Sequence, residues 1–297
     1  MIVYIYNGPG TVTSSFENLK RSLSMALQTH GFDIQYIGAQ DVIEGSKLSP
    51  ERARLFVLGG GRFTAVKKAL GHQGIENIQR YTHDGGFYAG ICMGSYAAFS
   101  DINFQGAERT TGQGLSFYNT VAYGSLPIAP PYDGTANSAT IVEMQHLTNG
   151  EKFPALYWGG NGMDESALLK IGATPLVKLS LDNGLEKIMS ARIKVGSNGG
   201  KAFICGYHPE GSNRNAIWQW LRGREPAIDC YQRLKHELCL HPDKAYLMGL
   251  ACMLDDIALT PSHSFVDQVY GRVQAIDIGQ TGHSPQIKPS PYPFRSG

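Results

Sequence analysis

The chain is expected to fold as an α/β protein, with a mostly parallel sheet, helices on both faces, an antiparallel β elaboration and a helical C-terminal extension. Three observations predict this. Apolar β-prone runs alternate with helix-period stretches through the first hundred residues. Short β-prone runs separated by Gly, Pro and Asn follow from about residue 102 to 200. Helix-like segments and a proline-rich end close the chain.

In order, "IVYIYN" reads as a strand, and Ser14 stands three residues before Glu17 as a capping box opening a helix. Phe16, Leu19, Leu23 and Leu27 then recur at helical spacing as far as Gly31. "FDIQYI" and "ARLFVLGG" make the second and third strands. "IENIQRYTHDGG" makes a helix with a glycine stop, and "GFYAGI" a fourth strand ending at Cys92. Such alternation places ligands at the carboxyl ends of the strands. "NSATIVEM", "FPALYWGGNG" and "KIMSARIKV" supply the antiparallel elaboration, and "KAFICGYHPEGS" returns as a buried strand running into a polar turn. Beyond it "NRNAIWQWLRG", "IDCYQRLKHEL" and "AYLMGLACMLDDIAL" read as helices, the last apolar nearly all round and therefore buried. "GHSPQIKPSPYPFRSG" reads as a loose tail. The organisation expected is a domain over residues 1–222 followed by a helical extension over 223–297.

A chain of 297 residues, 42% hydrophobic and 17% charged, is long enough for one large α/β domain with an appendage or for two small domains. Its 26 basic and 25 acidic residues give a formal charge of +1, so no global field recruits nucleic acid or an anionic membrane. Small-molecule or protein partners are favoured. The opening "MIVYIYNGPG" lacks the pattern of a signal peptide, and no run of about 18 apolar residues occurs. A cytoplasmic location is expected. The five cysteines, Cys92, Cys205, Cys230, Cys239 and Cys252, show no C-x-x-C and no metal-ligand spacing, so neither a disulfide framework nor a metal site is expected. No cofactor is expected either. "VLGGGRF" is no P-loop, and no G-x-G-x-x-G with a downstream acid follows a strand.

"GICMGSYAA" carries the chemistry. Gly90 and Gly94 flank Cys92 where a strand would turn sharply into a helix, and small neighbours let the chain turn and a substrate approach. A helix N-terminus there would favour thiolate over thiol. A small buried hydrophobe is the competing reading of that cysteine. "GYHPEG" adds His208 and Glu210, two residues apart, so strand alternation would put imidazole and carboxylate on one face. Cysteine, histidine and an orienting acid make a generalised triad. Read singly, His208 is a surface histidine before a proline and Glu210 an acid at a helix start. Glycines 59 to 61 end a strand and either form a simple tight turn or aim a backbone N–H at a developing oxyanion, with Met93 N–H as a second donor. His241-Pro242-Asp243 repeats the H-P-acid pattern after a helix-like segment and reads as a helix terminus.

Strand, glycine loop, G-x-C-x-G and a later H-P-E, in this order, resemble the class I glutamine amidotransferase-like superfamily, whose fold is flavodoxin-like. The chain resembles more closely the amidotransferase-like N-terminal domain of biotin protein ligases and its free-standing relatives. The resemblance rests on "YNGPGT" at 6–11, "LGGGR" at 58–62, "GGFYAGICMGSYAA" at 85–98, "YWGGNG" at 157–162 and "GYHPE" at 206–210. It implies Cys92 as nucleophile, His208 as general base and acid, and Glu210 as its orienter. Gly60, Gly61 and Met93 would supply oxyanion N–H groups. Asn7, Gly59, Arg62, Tyr96, Trp158 and Asn161 would line the substrate site; for Asn7 and Asn161, turn chemistry is the other reading. Met93 departs from the small residue more usual in relatives, and its length would narrow the site against glutamine. Nothing resembles the ligase catalytic domain or its glycine- and arginine-rich nucleotide loop, so biotinyl-adenylate synthesis is not expected.

Two function classes stay open. One is a cysteine-dependent amide hydrolase or amidotransferase acting on a small-molecule or peptide amide, with a separate ligase or synthetase partner if ammonia is transferred. The other is a non-catalytic binding or regulatory module that docks on such a protein. Peptide cleavage by the same triad is weaker, because no specificity determinant is visible.

Overall fold

The computed structural model describes residues 1–27, 31–105 and 114–211, together with Leu234. One nine-stranded sheet organises these residues. Four strands come first, each near its expected place: β1 (Ile2–Tyr6), β2 (Asp33–Ile37), β3 (Ala53–Leu58) and β4 (Phe87–Ile91). With β11 (Gly200–Cys205) they form a parallel block in the order β2-β1-β3-β4-β11. That is the 2-1-3-4-5 order of a doubly wound sheet, whose switch point falls between β1 and β3.

The helices α1 (Thr13–Leu27), α2 (Ala39–Glu44) and α3 (Phe63–His83) connect these strands. The connection β1 to β2 runs one way along the sheet and β3 to β4 the other, so right-handed crossovers send α1 and α3 to opposite faces. Side-chain alternation agrees. Val3, Ile5, Leu55 and Val57 pack with Leu19, Leu23 and Leu27 of α1, whereas Tyr4, Tyr6, Phe56 and Leu58 pack with Val66, Leu70 and Ile78 of α3. Strands buried on both faces read as continuous apolar runs, which is why the sequence marks them.

The antiparallel elaboration is present. β10 (Glu186–Val195) pairs with β11, and β9 (Thr174–Ser180), β7 (Thr140–His146) and β8 (Lys152–Tyr157) follow outward. The sheet is thus parallel in one half and antiparallel in the other. β5 (Phe99–Phe104) and β6 (Tyr118–Gly124) depart from the expectation, since they form a separate two-stranded parallel pair. Tyr118 ties that pair to the main sheet: its buried hydroxyl donates toward Ala191 O at 3.1 Å and Ala202 O at 3.0 Å.

Other boundaries differ for physical reasons. Helix α1 begins at Thr13 and not after a Ser14 cap, because the Val12 carbonyl accepts from Ser15 N at 3.0 Å and Phe16 N at 3.3 Å. α3 starts at Phe63, twelve residues before the expected Ile75, and Gly71 at φ 59° breaks it in two. α2 and α5 (Glu165–Lys170), six residues each, are too short to display a period. The predicted helices from 212 onward, the boundary at 222 and His241-Pro242-Asp243 lie outside the described residues, Leu234 apart. Among the described residues no helix is long and apolar enough to cross a membrane.

Removing the Tyr118 hydroxyl should loosen the parallel pair from the sheet. Tyr118→Phe is expected to cost about 1–2 kcal/mol, read as a lower urea midpoint at unchanged m-value.

Candidate active site

The carboxyl ends of β1, β3, β4 and β11 converge on Cys92. Cys92 itself takes φ 52° and ψ −105°, a conformation a side chain rarely adopts, between β4 and the five-residue helix α4 (Met93–Ala97). The chain can hold it there because both flanking positions are glycine. A Cβ on Gly94 would lie 1.9 Å from Leu58 O, and one on Gly90 would lie 2.2 Å from Gly94 O. Cys92 N donates to Cys205 O at 2.8 Å and Gly94 N to Gly59 O at 3.1 Å, so β11 and the glycine loop clamp the turn from either side. The sulfur is partly exposed, and its nearest backbone partner is Trp158 O at 3.8 Å.

His208 and Glu210 come together by a different route from the one the sequence suggests. β11 ends at Cys205, and residues Pro209–Gly211 form a 3-10 turn, so the turn and not strand alternation places the two side chains. His208 Nδ1 lies 2.9 Å from Glu210 Oε1, with His208 1% and Glu210 0% exposed. His208 N also donates to Leu156 O at 2.8 Å, which fixes the turn against the end of β8. Burial alone would lower the imidazole pKa, but the charges of Cys92 and Glu210 and their hydrogen bonds to the ring outweigh it and hold the group up at about 10. With Nδ1 committed to the carboxylate, Nε2 is the ring nitrogen left for the sulfur.

Ser15 completes this arrangement, and no local pattern in the sequence marks it. Its hydroxyl donates to Glu210 Oε1 at 3.0 Å and accepts from Gly60 N at 2.9 Å. The Gly60 amide is therefore engaged and does not stand ready as the oxyanion donor expected of it. Gly61 N and Met93 N make no hydrogen bond to another described residue, and both residues line the cavity that opens on Cys92. These two amides are the donors the geometry leaves available.

Cys92 stands where two cavities meet. The smaller, about 240 Å³, is walled by Gly10, Ser15, Gly60, Gly61 and His208. The larger, about 580 Å³, is walled by Met93, Tyr96, Phe104, Tyr132 and Trp158. Arg62 lines both and is exposed. Of the expected substrate residues, Arg62, Tyr96 and Trp158 thus reach the site. Gly59 lies behind it, its carbonyl used by Gly94 N. Asn7 is exposed beyond the end of β1, with its N–H on Ile37 O at 3.1 Å, and lines neither cavity. Asn161 is fully buried and lines neither; its carbonyl lies against Gly206, where a Cβ would approach to 1.9 Å. Phe104 and Tyr132, absent from the expected set, are brought in by β5 and the loop before β7. No group of three or more His, Cys, Asp or Glu side chains among the described residues could hold a metal ion.

Two outcomes follow from the buried charges. A histidine whose folded pKa is raised adds stability that is complete below its unfolded value near 6.5 and fades as pH rises toward about 10. Thermal unfolding across that window should show a falling Tm, and Cys92→Ala should flatten the fall by removing one of the charges that hold the imidazolium. Ser15→Ala leaves the Gly60 amide buried without its acceptor and takes a donor from Glu210, so a loss of about 1–3 kcal/mol in urea unfolding is expected.

Comparisons with known proteins identify the family. A protein of Chlamydia muridarum (strain MoPn / Nigg), described as uncharacterized, is 27% identical over 167 residues, 53% of this chain and 62% of that protein's length. Among solved structures, a ThuA-like protein from Bacteroides uniformis matches with a TM-score of 0.45 at 11% identity, over 83% of this chain and 91% of its own. A cytoplasmic protein from Salmonella typhimurium LT2 matches with a TM-score of 0.38 at 13% identity, over 80% of this chain and 98% of its own. Both scores fall below 0.5, and the fold rests on the strand order given above. The family model described as "Biotin-protein ligase, N terminal" matches residues 1–272, running past residue 222. The chain belongs to the biotin-protein ligase N-terminal domain family.

Proposed function

We propose that the protein is a cysteine-dependent amide hydrolase on a flavodoxin-like, class I glutamine amidotransferase-like domain, using Cys92, His208 and Glu210. The observation that carries this is the buried His208–Glu210 pair, whose imidazole shares one cavity with a cysteine held at φ 52°. A carboxylate and an imidazole are costly to bury, and a strained nucleophile-bearing turn beside them gives that cost a chemical purpose.

In the proposed reaction the Cys92 sulfur attacks the amide carbonyl carbon and the carbonyl π pair moves to oxygen, where Gly61 N–H and Met93 N–H receive it. The oxyanion collapses, the C–N bond breaks, and His208 passes its Nε2 proton to the departing ammonia or amine. Water then attacks the thioester carbon while His208 takes a proton from it. The C–S bond breaks, releasing the carboxylic acid and restoring the sulfur. Glu210 keeps Nδ1–H engaged throughout, so the ring presents the same nitrogen in both halves. Hydrolysis needs no further domain; transfer of the ammonia to an acceptor would need a partner protein.

The family's description as the N-terminal part of a ligase supports a second reading, a module that docks on another protein and does no chemistry. One experiment separates the two. Ammonia release from a panel of primary amides should fall by roughly 10³-fold or more in Cys92→Ala. Release from neither form would favour the docking module.

A further inference from the structure

We propose that the acyl side of the Cys92 site takes an aryl or arylalkyl carboxamide bearing an anionic group, a class bulkier and less polar than glutamine. This rests on the hydrolase reading above. The larger cavity, at about 580 Å³, falls within the ~300–1,000 Å³ of sites that enclose a drug-sized ligand. Its wall is a continuous series of edge-on rings. Tyr96 and Phe104 are 5.7 Å apart at 75°, Phe104 and Tyr132 5.7 Å at 84°, and Tyr132 and Trp158 6.2 Å at 65°. Successive rings nearly perpendicular to one another offer both faces and edges, the two surfaces on which an aromatic guest packs.

Several polar atoms of this wall are bonded within the protein. Tyr96 OH donates to Gly159 O at 3.1 Å, and Trp158 Nε1 lies 2.9 Å from both Thr135 O and Ser138 Oγ. Gln105 Nε2 donates to Tyr132 O at 2.7 Å. The Asp133 carboxylate accepts from Thr135 N and Thr135 Oγ1, both at 2.8 Å, and these bonds hold it below the usual carboxylate range. Arg62 differs: it lines both cavities, is exposed, and makes no ion pair with another described residue. An anion at the rim suits a planar guanidinium that can bind a carboxylate through two N–H groups. Met93 is buried along the same cavity, adding a flexible apolar contact where a small residue would leave space.

The test uses four probes: N-succinyl-phenylalaninamide, N-acetyl-phenylalaninamide, glutamine and propanamide. Each is assayed for ammonia release, and separately for slowing the alkylation of Cys92 by iodoacetamide, with Cys92→Ala as the blank for the other cysteines. The succinyl probe should exceed glutamine in kcat/KM by about tenfold or more, with the acetyl probe between them. Arg62→Gln should abolish the advantage of succinyl over acetyl, and Phe104→Ala should raise KM for both aromatic probes by about tenfold. Protection of Cys92 by the aromatic probes without ammonia release would keep the ligand class and overturn the hydrolase. Glutamine or propanamide turned over as well as the aromatic probes would keep the hydrolase and overturn the ligand class. Neither protection nor turnover by the aromatic probes overturns the proposal outright.

Discussion

A carboxylate with no exposed surface persists only where partners hold its charge, and Glu210 is such a group. One oxygen of it joins three parts of the chain. His208 reaches it from the turn after β11, Ser15 from the first turn of α1, and through the Ser15 hydroxyl the Gly60 amide from the loop after β3. None of the three can shift without leaving a polar group buried and unpaired. The orientation of the imidazole toward Cys92, and the position of Gly61 and Arg62 as walls of both cavities, are consequences of that shared bond. Breaking a buried pair by removing one partner costs far more than the pair contributes against an apolar substitute, so the three groups are held together.

The sheet divides its labour. Its parallel half carries Cys92 at the carboxyl end of β4 and His208 just beyond that of β11, the edge along which doubly wound sheets bind ligands. The antiparallel half closes the site. The end of β8 accepts His208 N through Leu156 O, and two residues later Trp158 brings its carbonyl to the Cys92 sulfur and its ring to the cavity wall. What looks like an elaboration on the fold therefore forms part of the wall that Cys92 faces.

How much of this was legible depends on the distance over which each feature is encoded. The inner parallel strands were legible because burial on both faces makes every residue of "IVYIY" or "LFVL" apolar. The elbow was legible because backbone carbonyls sit 1.9 and 2.2 Å from where side chains of residues 94 and 90 would begin, so only glycine fits. His208 and Glu210 were legible as a pair, though a 3-10 turn joins them and not the strand alternation their spacing suggests. Ser15 was not legible: a local rule directs attention to Ser14, while the Ser15 hydroxyl meets a carboxylate 195 residues away. The aromatic wall was half legible, since Tyr96 and Trp158 fall inside the motifs that carry the family resemblance and Phe104 and Tyr132 fall outside them. Pairing of β5 with β6 in parallel was beyond reach, because short strands carry no side-chain signature of direction.

A turn at φ 52° on a cysteine costs about 1–3 kcal/mol wherever it occurs, and an isolated chain would relax it by rotating a peptide on either side. Here neither peptide is at liberty. Cys92 N is bonded to Cys205 O and Cys92 O accepts from Tyr96 N at 3.2 Å; beyond them Gly94 N is bonded to Gly59 O, and Tyr88 OH donates to Gly94 O at 2.6 Å, so β4, β11 and the loop after β3 all hold the turn. Relaxing it would break bonds inside a region where no water replaces them, at a cost comparable to the strain itself for each bond lost. The sulfur is consequently presented to the cavities at a fixed angle before any ligand arrives, and the free energy of fixing it comes from the packing of the sheet and not from binding.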